Sequence, residues 1–451
     1  MISQEQSITY YTVTLGEMTR DGDVLAEIHE QDETGEEHAR TLHVPAGLPG
    51  EVVTIGVEKP PVHRPGKKRR HWKPRPPRVW IQEIHAASPL RIAAPCPVFG
   101  TCGGCQLQHM RYDAQLAWKR DVVTRLLQEI GGFDNAPVQP TEACDTPWHY
   151  RNHMRFSVNR SGQPGLTARG THRVLPLASC PIAHEQINRA LSVLSQQPNA
   201  RPQVLIRCGA NSKQMLIQPS QGEATLQKLA EAGLDVRAET MEEQLCGETF
   251  RIRPSSFFQT NTAQAEKMAH MVLDGLLDHP GRSGQLEKDR KSQDLTVVDA
   301  YCGVGTFALL LARHVSKVIA IEESASAIRD AQWNLRDAAN VEILKGKVED
   351  VLPTLGAGLD GLVIDPPRAG CQQVVLDALL RHPVARVVYV SCDPSTLARD
   401  LNILCHPHHL NSASGQPVYR LLSVQPLDMF PQTAHIECIT TLERIKQPDE
   451  I

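Results

Sequence analysis

From Leu295 onward, apolar runs alternate with amphipathic ones in a steady rhythm. LTVVDAY reads as a strand, FALLLARH as a helix, KVIAIE as a strand and SASAIRDAQWNLRDA as a helix. VEIL, GLVIDPP and RVVYVSC follow as further strands, the last one preceded by a helix. Strands and helices alternating at this spacing predict a doubly wound, mostly parallel sheet. After Pro431, HIECITTLERI predicts one more strand. The front of the chain has a different period. Residues 7 to 58 alternate apolar and polar positions between turn residues, which predicts a small all-β unit of about five strands; VWIQEIHAAS predicts a further one. Residues 111–131 carry apolar positions at helical spacing and run into Gly131 and Gly132, a helix with a C-terminal cap. Residues 149–260 read as mixed and β-rich, and 281–294 as a hydrophilic surface loop. No solenoid-type repeat is present.

The 451 residues suffice for two or three domains, and 41% hydrophobic with 22% charged residues is an ordinary soluble composition. No apolar run approaches the ~20 residues of a membrane span. The first residues, MISQEQSITYY, lack a basic region followed by an apolar one, so a cytoplasmic protein is expected. The net charge of −4 argues against a uniformly basic nucleic-acid binder. Its distribution is uneven: Glu17 to Glu37 holds nine acids and one base, whereas Arg64 to Arg78 holds eight bases and no acid. Such a block holds phosphates by releasing their counterions. A solvated, proline-broken linker explains it about as well, and Trp72 and Trp80 tilt the balance toward nucleic acid. Twelve cysteines in a reducing compartment are core residues, ligands or nucleophiles rather than disulfides. Cys96, Cys102 and Cys105 stand apart, because they crowd into one Gly-rich stretch.

The first strand of the α/β segment runs into DAYCGVGTF, where Gly303 and Gly305 let backbone amides approach a ligand. The second ends at Glu322, placed to accept ribose hydroxyls. Gly303, Gly305 and Ala308 also fit a dinucleotide fingerprint, with an acid 19 residues on. Two features favour S-adenosylmethionine over a dinucleotide. Asp299 closes the strand ahead of a wider turn, and a carboxylate there suits a sulfonium or ammonium but repels a pyrophosphate. The fourth strand ends in DPPR, beginning at Asp365, at the edge where open α/β sheets bind ligands.

Cys392 ends a strand beside that edge. A free cysteine is often a small buried hydrophobe. A thiol has a specific use, however, where the methyl acceptor is a poor nucleophile such as C5 of uracil or cytosine. Addition of the thiolate to C6 makes C5 enolate-like, and the C5 proton must then leave to a base. Glu437, among apolar neighbours in HIECITTL, is the candidate base, with a carboxyl pKa raised by burial; His435 is a weaker one.

DPPRAG, VYVSCDPSTLARD and LDMFPQTAHIE, with DAYCGVGTF and FFQTN, resemble the signatures of the RNA 5-methyluridine methyltransferase family. The resemblance implies S-adenosylmethionine-dependent methylation of uridine C5 in RNA, with Cys392 as nucleophile and Glu437 as base. It puts Gln259, Tyr301, Gly303, Gly305, Glu322 and Asp365 at cofactor-contacting positions. Asp393 departs from the family's commoner Asn, and an acid beside the thiol would raise its pKa. Cys96, Cys102 and Cys105, spaced C-x5-C-x2-C, resemble with Cys180 the [4Fe–4S] ligands of the branch acting on bacterial 23S ribosomal RNA. Four thiolates also suit zinc, although only one C-x2-C is present. The N-terminal β unit is similar to the OB-like TRAM module of that branch. The implied organisation is a TRAM-like barrel over 1–62, a basic linker and strand over 63–92, a central RNA-binding domain with the cluster over 93–260, and a Rossmann-like catalytic domain over 261–451. No obligate protein partner is evident. The alternatives are a methyltransferase acting on tRNA and a non-catalytic RNA-binding protein. A dehydrogenase leaves the four cysteines unexplained, and a DNA cytosine-5 methyltransferase would carry its thiol where this chain has DPPR.

Overall fold

Alternation in the N-terminal segment yields strands with one buried face. The strands are β1 (Ile8–Thr14), β2 (Val24–Gln31), β3 (Glu37–Val44), β4 (Val52–Glu58) and β5 (Arg78–Ala86). β1-β4-β5 form an antiparallel sheet and β2-β3 a second, two-stranded one. Four strands therefore occupy the stretch expected to hold about five, and β5 is the further strand. Val53, Ile55 and Val57 of β4 are fully buried, as period-two alternation requires. The computed structural model describes residues 8–31, 36–58, 77–198, 201–236, 239–277, 293–407 and 417–445. The basic block up to residue 76, Trp72 included, lies outside the described residues, as does 281–292.

The chain forms two compact units. One comprises Met1–Gln115, Thr167–His172 and Gln432–Ala434; the other holds the remainder. In the first, Glu51 is fully buried and paired with Arg91, which donates through Nε at 2.5 Å and Nη2 at 2.6 Å. Backbone N–H groups of Leu48 and Ser88 complete the shell of this carboxylate.

α1 (Tyr112–Glu129), in the second unit from Leu116 onward, matches the expected helix, and Gly132 at φ +72° follows its end. The β-rich stretch contains β6 (His153–Val158), β7 (Pro164–Thr167), β8 (Val174–Pro176), α2 (Glu185–Ser195), β9 (Gln203–Cys208), β10 (Met215–Gln218), α3 (Glu223–Glu231), β11 (Met241–Leu245) and β12 (Glu248–Ile252). Five of these strands form a sheet in the order β10-β9-β6-β7-β8, and β11-β12 pair separately. Next comes α4 (Thr262–Leu277).

The large sheet follows: β13 (Gln293–Ala300), α5 (Thr306–Leu311), β14 (Val315–Glu322), α6 (Ala325–Asn334), β15 (Val341–Lys345), α7 (Val348–Val351), β16 (Gly361–Ile364), α8 (Gln373–Arg381), β17 (Arg386–Ser391), α9 (Pro394–Cys405), β18 (Tyr419–Leu427) and β19 (Glu437–Arg444). Its order is β15-β14-β13-β16-β17-β19-β18; the first five are parallel, and β19 and β18 run antiparallel. Successive residues face opposite layers. Val297, Val363 and Val388 pack with α4 and α5, whereas Val298, Leu362, Val387 and Tyr389 pack with α1, α8 and α9. Parallel strands buried on both faces must read as unbroken apolar runs, as these do.

Candidate active site

Strand order reverses between β13 and β16, and ligands of open α/β sheets bind at the carboxyl edge of such a switch point. That edge gathers Tyr301, Gly303, Glu322, Asp365 and Cys392 from four neighbouring strands.

The glycine turn is held open by strain and by acids. Tyr301 has φ +64°, a region that non-glycine residues rarely adopt, and its hydroxyl donates to Glu349 at 3.1 Å. Gly303 has φ +57°, and a Cβ there would meet nothing within 4 Å, so the loop borders open space. Gly305 sits at φ +86° as the N-cap of α5. Glu322 accepts the Gly303 N–H at 2.9 Å and the Ser324 N–H at 2.7 Å, one on each oxygen. This fixes the carboxylate at the mouth of the turn and leaves each oxygen a second lone pair. Asp299, read from the sequence as a carboxylate suited to a sulfonium or ammonium, sits deeper than Glu322. It is fully buried and braces the turn by accepting the Ala308 N–H at 2.8 Å. Its other oxygen has no hydrogen-bond partner among the described residues. Burial, with Asp365 and Glu322 nearby, pushes its pKa up to about 8. Gln259 lies on the loop into α4, where its carbonyl accepts from Asn152 at 3.2 Å.

Cys392 and Glu437 meet because β19 returns antiparallel beside β17. The register pairs Ser391 with Cys438, so the residues one step beyond, Cys392 and Glu437, stand side by side at the edge. Glu437 is only 3% exposed. Burial first, then Asp365, raise its carboxyl pKa well above the ordinary value. The half-buried Cys392 thiol is pushed up to about 11 by burial, Glu437 and Asp365. Burial likewise pushes Asp365 up to about 7. One cation opposes these acids. Arg368, the last residue of DPPR, lowers both the thiol and the Glu437 carboxyl. Sequence reasoning took DPPR as the end of the fourth strand at the ligand-binding edge and assigned Arg368 no part, although it stands inside the motif. His435 is exposed, with its Nδ1 3.4 Å from Arg368 Nη2. Asp393 is not the acid that burdens the thiol: its side chain caps α9, accepting the Ser395 N–H at 2.9 Å.

Cys96, Cys102 and Cys105 share one loop of the first unit, where Cys102 is buried and its Sγ accepts the Gly104 N–H at 3.4 Å. Cys180 belongs to the second unit, its backbone held by Asn188 at 2.8 Å and 3.0 Å. Among the described residues, no group of three or more His, Cys, Asp or Glu side chains is arranged to hold a metal ion.

The sheet order, the glycine turn after β13 and the acids at the ends of β14 and β16 define the fold of an S-adenosylmethionine-dependent methyltransferase. Residues 226–355 and 357–445 match the family described as tRNA (Uracil-5-)-methyltransferase. An uncharacterized RNA methyltransferase of Gloeobacter violaceus is 34% identical over 485 residues, covering 96% of each chain. Another, of Halalkalibacterium halodurans, is 32% identical over 484 residues, again 96% of each. Among solved structures, the Pyrococcus abyssi tRNA (uracil-54, C5)-methyltransferase in complex with S-adenosyl-L-homocysteine has a TM-score of 0.67 at 22% identity, covering 96% of this chain and 99% of that one. The chain belongs to the RNA (uracil-5-)-methyltransferase family and is an enzyme of that class.

Proposed function

We propose that this enzyme transfers a methyl group from S-adenosylmethionine to C5 of a uridine in 23S ribosomal RNA, with Cys392 as nucleophile and Glu437 as base. The observation that carries the reading is the pairing of a thiol with a buried carboxyl at the switch-point edge. The methyl donor supplies an electrophilic carbon on a cationic sulfur, and the site suits that charge. Glu322, Asp365 and the orphaned oxygen of Asp299 gather there, and Gly303 leaves room beside them. Tyr301, Gly305 and Gln259 complete the donor-binding set.

The Cys392 thiolate forms a bond to C6 of the uracil, and the electron pair displaced from the C5–C6 double bond makes C5 nucleophilic. C5 takes the methyl, and S-adenosylhomocysteine leaves. The Glu437 carboxylate removes the C5 proton; the electron pair of that C–H bond re-forms C5=C6 and expels the thiolate. Burial and the neighbouring acids disfavour ionisation of both groups in the free site, and an arriving positive charge favours it for each. Arg368 acts in the same direction from the protein side. The target base must leave its stack to expose C6, so an unpaired loop or junction uridine is the expected site.

The cysteine set Cys96, Cys102, Cys105 and Cys180 supports a [4Fe–4S] cluster on spacing alone, and no catalytic step runs through it. Iron and acid-labile sulfide analysis of anaerobically purified protein tests that assignment. The TRAM-like barrel over 1–62 and the central domain over 93–260 are read as RNA-binding parts of a cytoplasmic enzyme. No described helix is long and apolar enough to cross a membrane. The tRNA substrate of the Pyrococcus abyssi enzyme favours tRNA as the second reading. Mass-spectrometric mapping of 5-methyluridine in ribosomal RNA and tRNA, from cells with and without the gene, separates the two. Loss from 23S RNA supports the first reading and loss from tRNA the second. If no 5-methyluridine is lost from either, the proposed substrates are wrong.

A further inference from the structure

The loop that carries Asp365 and Arg368 is gripped along its length by the helix that begins after Cys392. Asp400 of α9 is fully buried. Its Oδ2 accepts the Cys371 N–H at 2.8 Å and the Tyr389 hydroxyl at 2.7 Å. Its Oδ1 accepts from Arg399 through Nε at 2.8 Å and Nη2 at 2.6 Å. The same Arg399 Nη2 donates to the carbonyls of Ala369 at 3.0 Å and Cys371 at 3.2 Å. One turn earlier, the Thr396 hydroxyl lies 3.2 Å from the Arg368 carbonyl and 3.0 Å from that of Asp393. Gly370, at φ +73°, lets the loop approach this closely: a Cβ there would come within 2.6 Å of Arg399 Nη2 and 2.7 Å of Asp400 Oδ2. Charged and polar groups thus tie three residues of the loop, Arg368, Ala369 and Cys371, to α9.

We propose that Asp400 and Arg399 form a latch that fixes the loop bearing Asp365 and Arg368 beside the strand edge that carries Cys392 and Glu437, making Asp400 a positioning residue for methyl transfer. There Arg368 Nη2 lies 3.4 Å from Nδ1 of His435, two residues before Glu437. The inference rests on the reading of Cys392 as the nucleophile. A rigid connection is needed because the cation and the thiol come from different strand ends, β16 and β17, with nothing covalent between them. Asp400 touches neither substrate nor donor. Its effect reaches the chemistry through the loop backbone, which sets where the guanidinium of Arg368 stands. Among the described residues, the charged groups that act on the thiol are Glu437 of β19 and Asp365 and Arg368 of the loop after β16, of which Arg368 alone is positive. Asp393 at the start of α9 is turned to its own helix, where it accepts the Ser395 N–H. A latch that lets this loop drift therefore leaves the thiol among acids alone.

The experiment measures the pH dependence of Cys392 alkylation by iodoacetamide in the full-length protein, by mass spectrometry of the Cys392 peptide. In Asp400→Asn the midpoint is expected to rise by about one pH unit, the size of losing one nearby opposite charge. Arg368→Gln should raise it equally, and the double variant should add nothing further. Thr396→Val, which removes the hydroxyl shared by the Arg368 and Asp393 carbonyls, should shift it the same way by less and covers the case of a misfolded Asp400→Asn. A buried residue with a purely structural role would lower the melting temperature without moving this midpoint. Unmoved midpoints in Asp400→Asn and Thr396→Val, or additive shifts in the double variant, overturn the latch. Failure of the underlying reading looks different: Cys392→Ala would then keep its methylation activity whatever the alkylation profile does.

Discussion

Lys119 and Asp428 form a fully buried ion pair, both side chains at 0% exposure and Nζ 2.5 Å from Oδ1. Asp428 directly follows Leu427, the residue that β18 pairs with Glu437, so this pair supports the segment behind the candidate base. The Lys119 ammonium also donates to the Phe430 carbonyl at 3.3 Å, and Gln264 donates to the Asp428 carbonyl at 3.0 Å. Lys119→Met keeps the volume of the side chain and strands a carboxylate in the core. Removing one partner of such a pair costs about 3–5 kcal/mol. Against a total stability of about 5–15 kcal/mol, that is a large fraction. Urea unfolding followed by circular dichroism should therefore show a clear drop in midpoint with little change in slope. Lys119→Met/Asp428→Leu, with both charges gone, should recover most of the loss, because a well-packed apolar pair is often neutral. If Lys119→Met costs less than about 1 kcal/mol, or if the double variant is as unstable as the summed singles, the burial argument is refuted.

Three other outcomes are expected. Glu437→Gln should add its thiol to RNA and accept the methyl but fail to lose the C5 proton, so a covalent protein–RNA species should accumulate on denaturing gels while turnover falls at least about a hundredfold. Gly303→Val places a side chain in the space beside the turn at φ +57°. It should weaken S-adenosylhomocysteine binding by calorimetry at least tenfold while costing only about 1–2 kcal/mol of stability. The ligand-free protein should melt higher at pH 7 than at pH 8.5. That window lies above the range in which His109 and His153, their pKa values lowered by burial, add stability as pH rises. Asp299 and Asp365 have folded pKa values raised to about 8 and about 7, above those of the unfolded chain. Their stabilising contribution is complete in acid and is lost as pH rises through those values. A melting temperature that climbs across that window would contradict the assignment.

The sheet was legible because the buried centres of parallel strands are apolar, and VV, VIAI, LVI and VVYV are. The glycine turn and the strand-end acids followed from the same runs, since a strand's carboxyl end is marked by where the apolar run stops. β18 escaped the sequence reading. Its Pro426 argues against a strand, and the structure resolves the conflict by placing β18 at the sheet edge. α4 went unassigned although Ala265, Met268, Ala269, Val272 and Leu276 repeat at helical spacing and are all buried. The depth of Asp299 was not legible, because a strand-end acid looks alike in sequence whether it faces solvent or core. The antiparallel return of β19, which pairs Glu437 with Cys392, has no local signature. Neither have the grip of Asp400 on Cys371 and the burial of Lys119, because each joins segments separated in the chain.

The central claim is that Cys392 bonds to C6 of the target uridine. The most direct test uses RNA carrying 5-fluorouridine, whose C5 has no proton for Glu437 to remove, so that the adduct is trapped after methyl transfer. The account predicts a stable protein–RNA complex that forms with S-adenosylmethionine present and whose nucleotide maps to the Cys392 peptide. The contradicting result is the absence of any adduct, together with a Cys392→Ala enzyme that still methylates ordinary uridine.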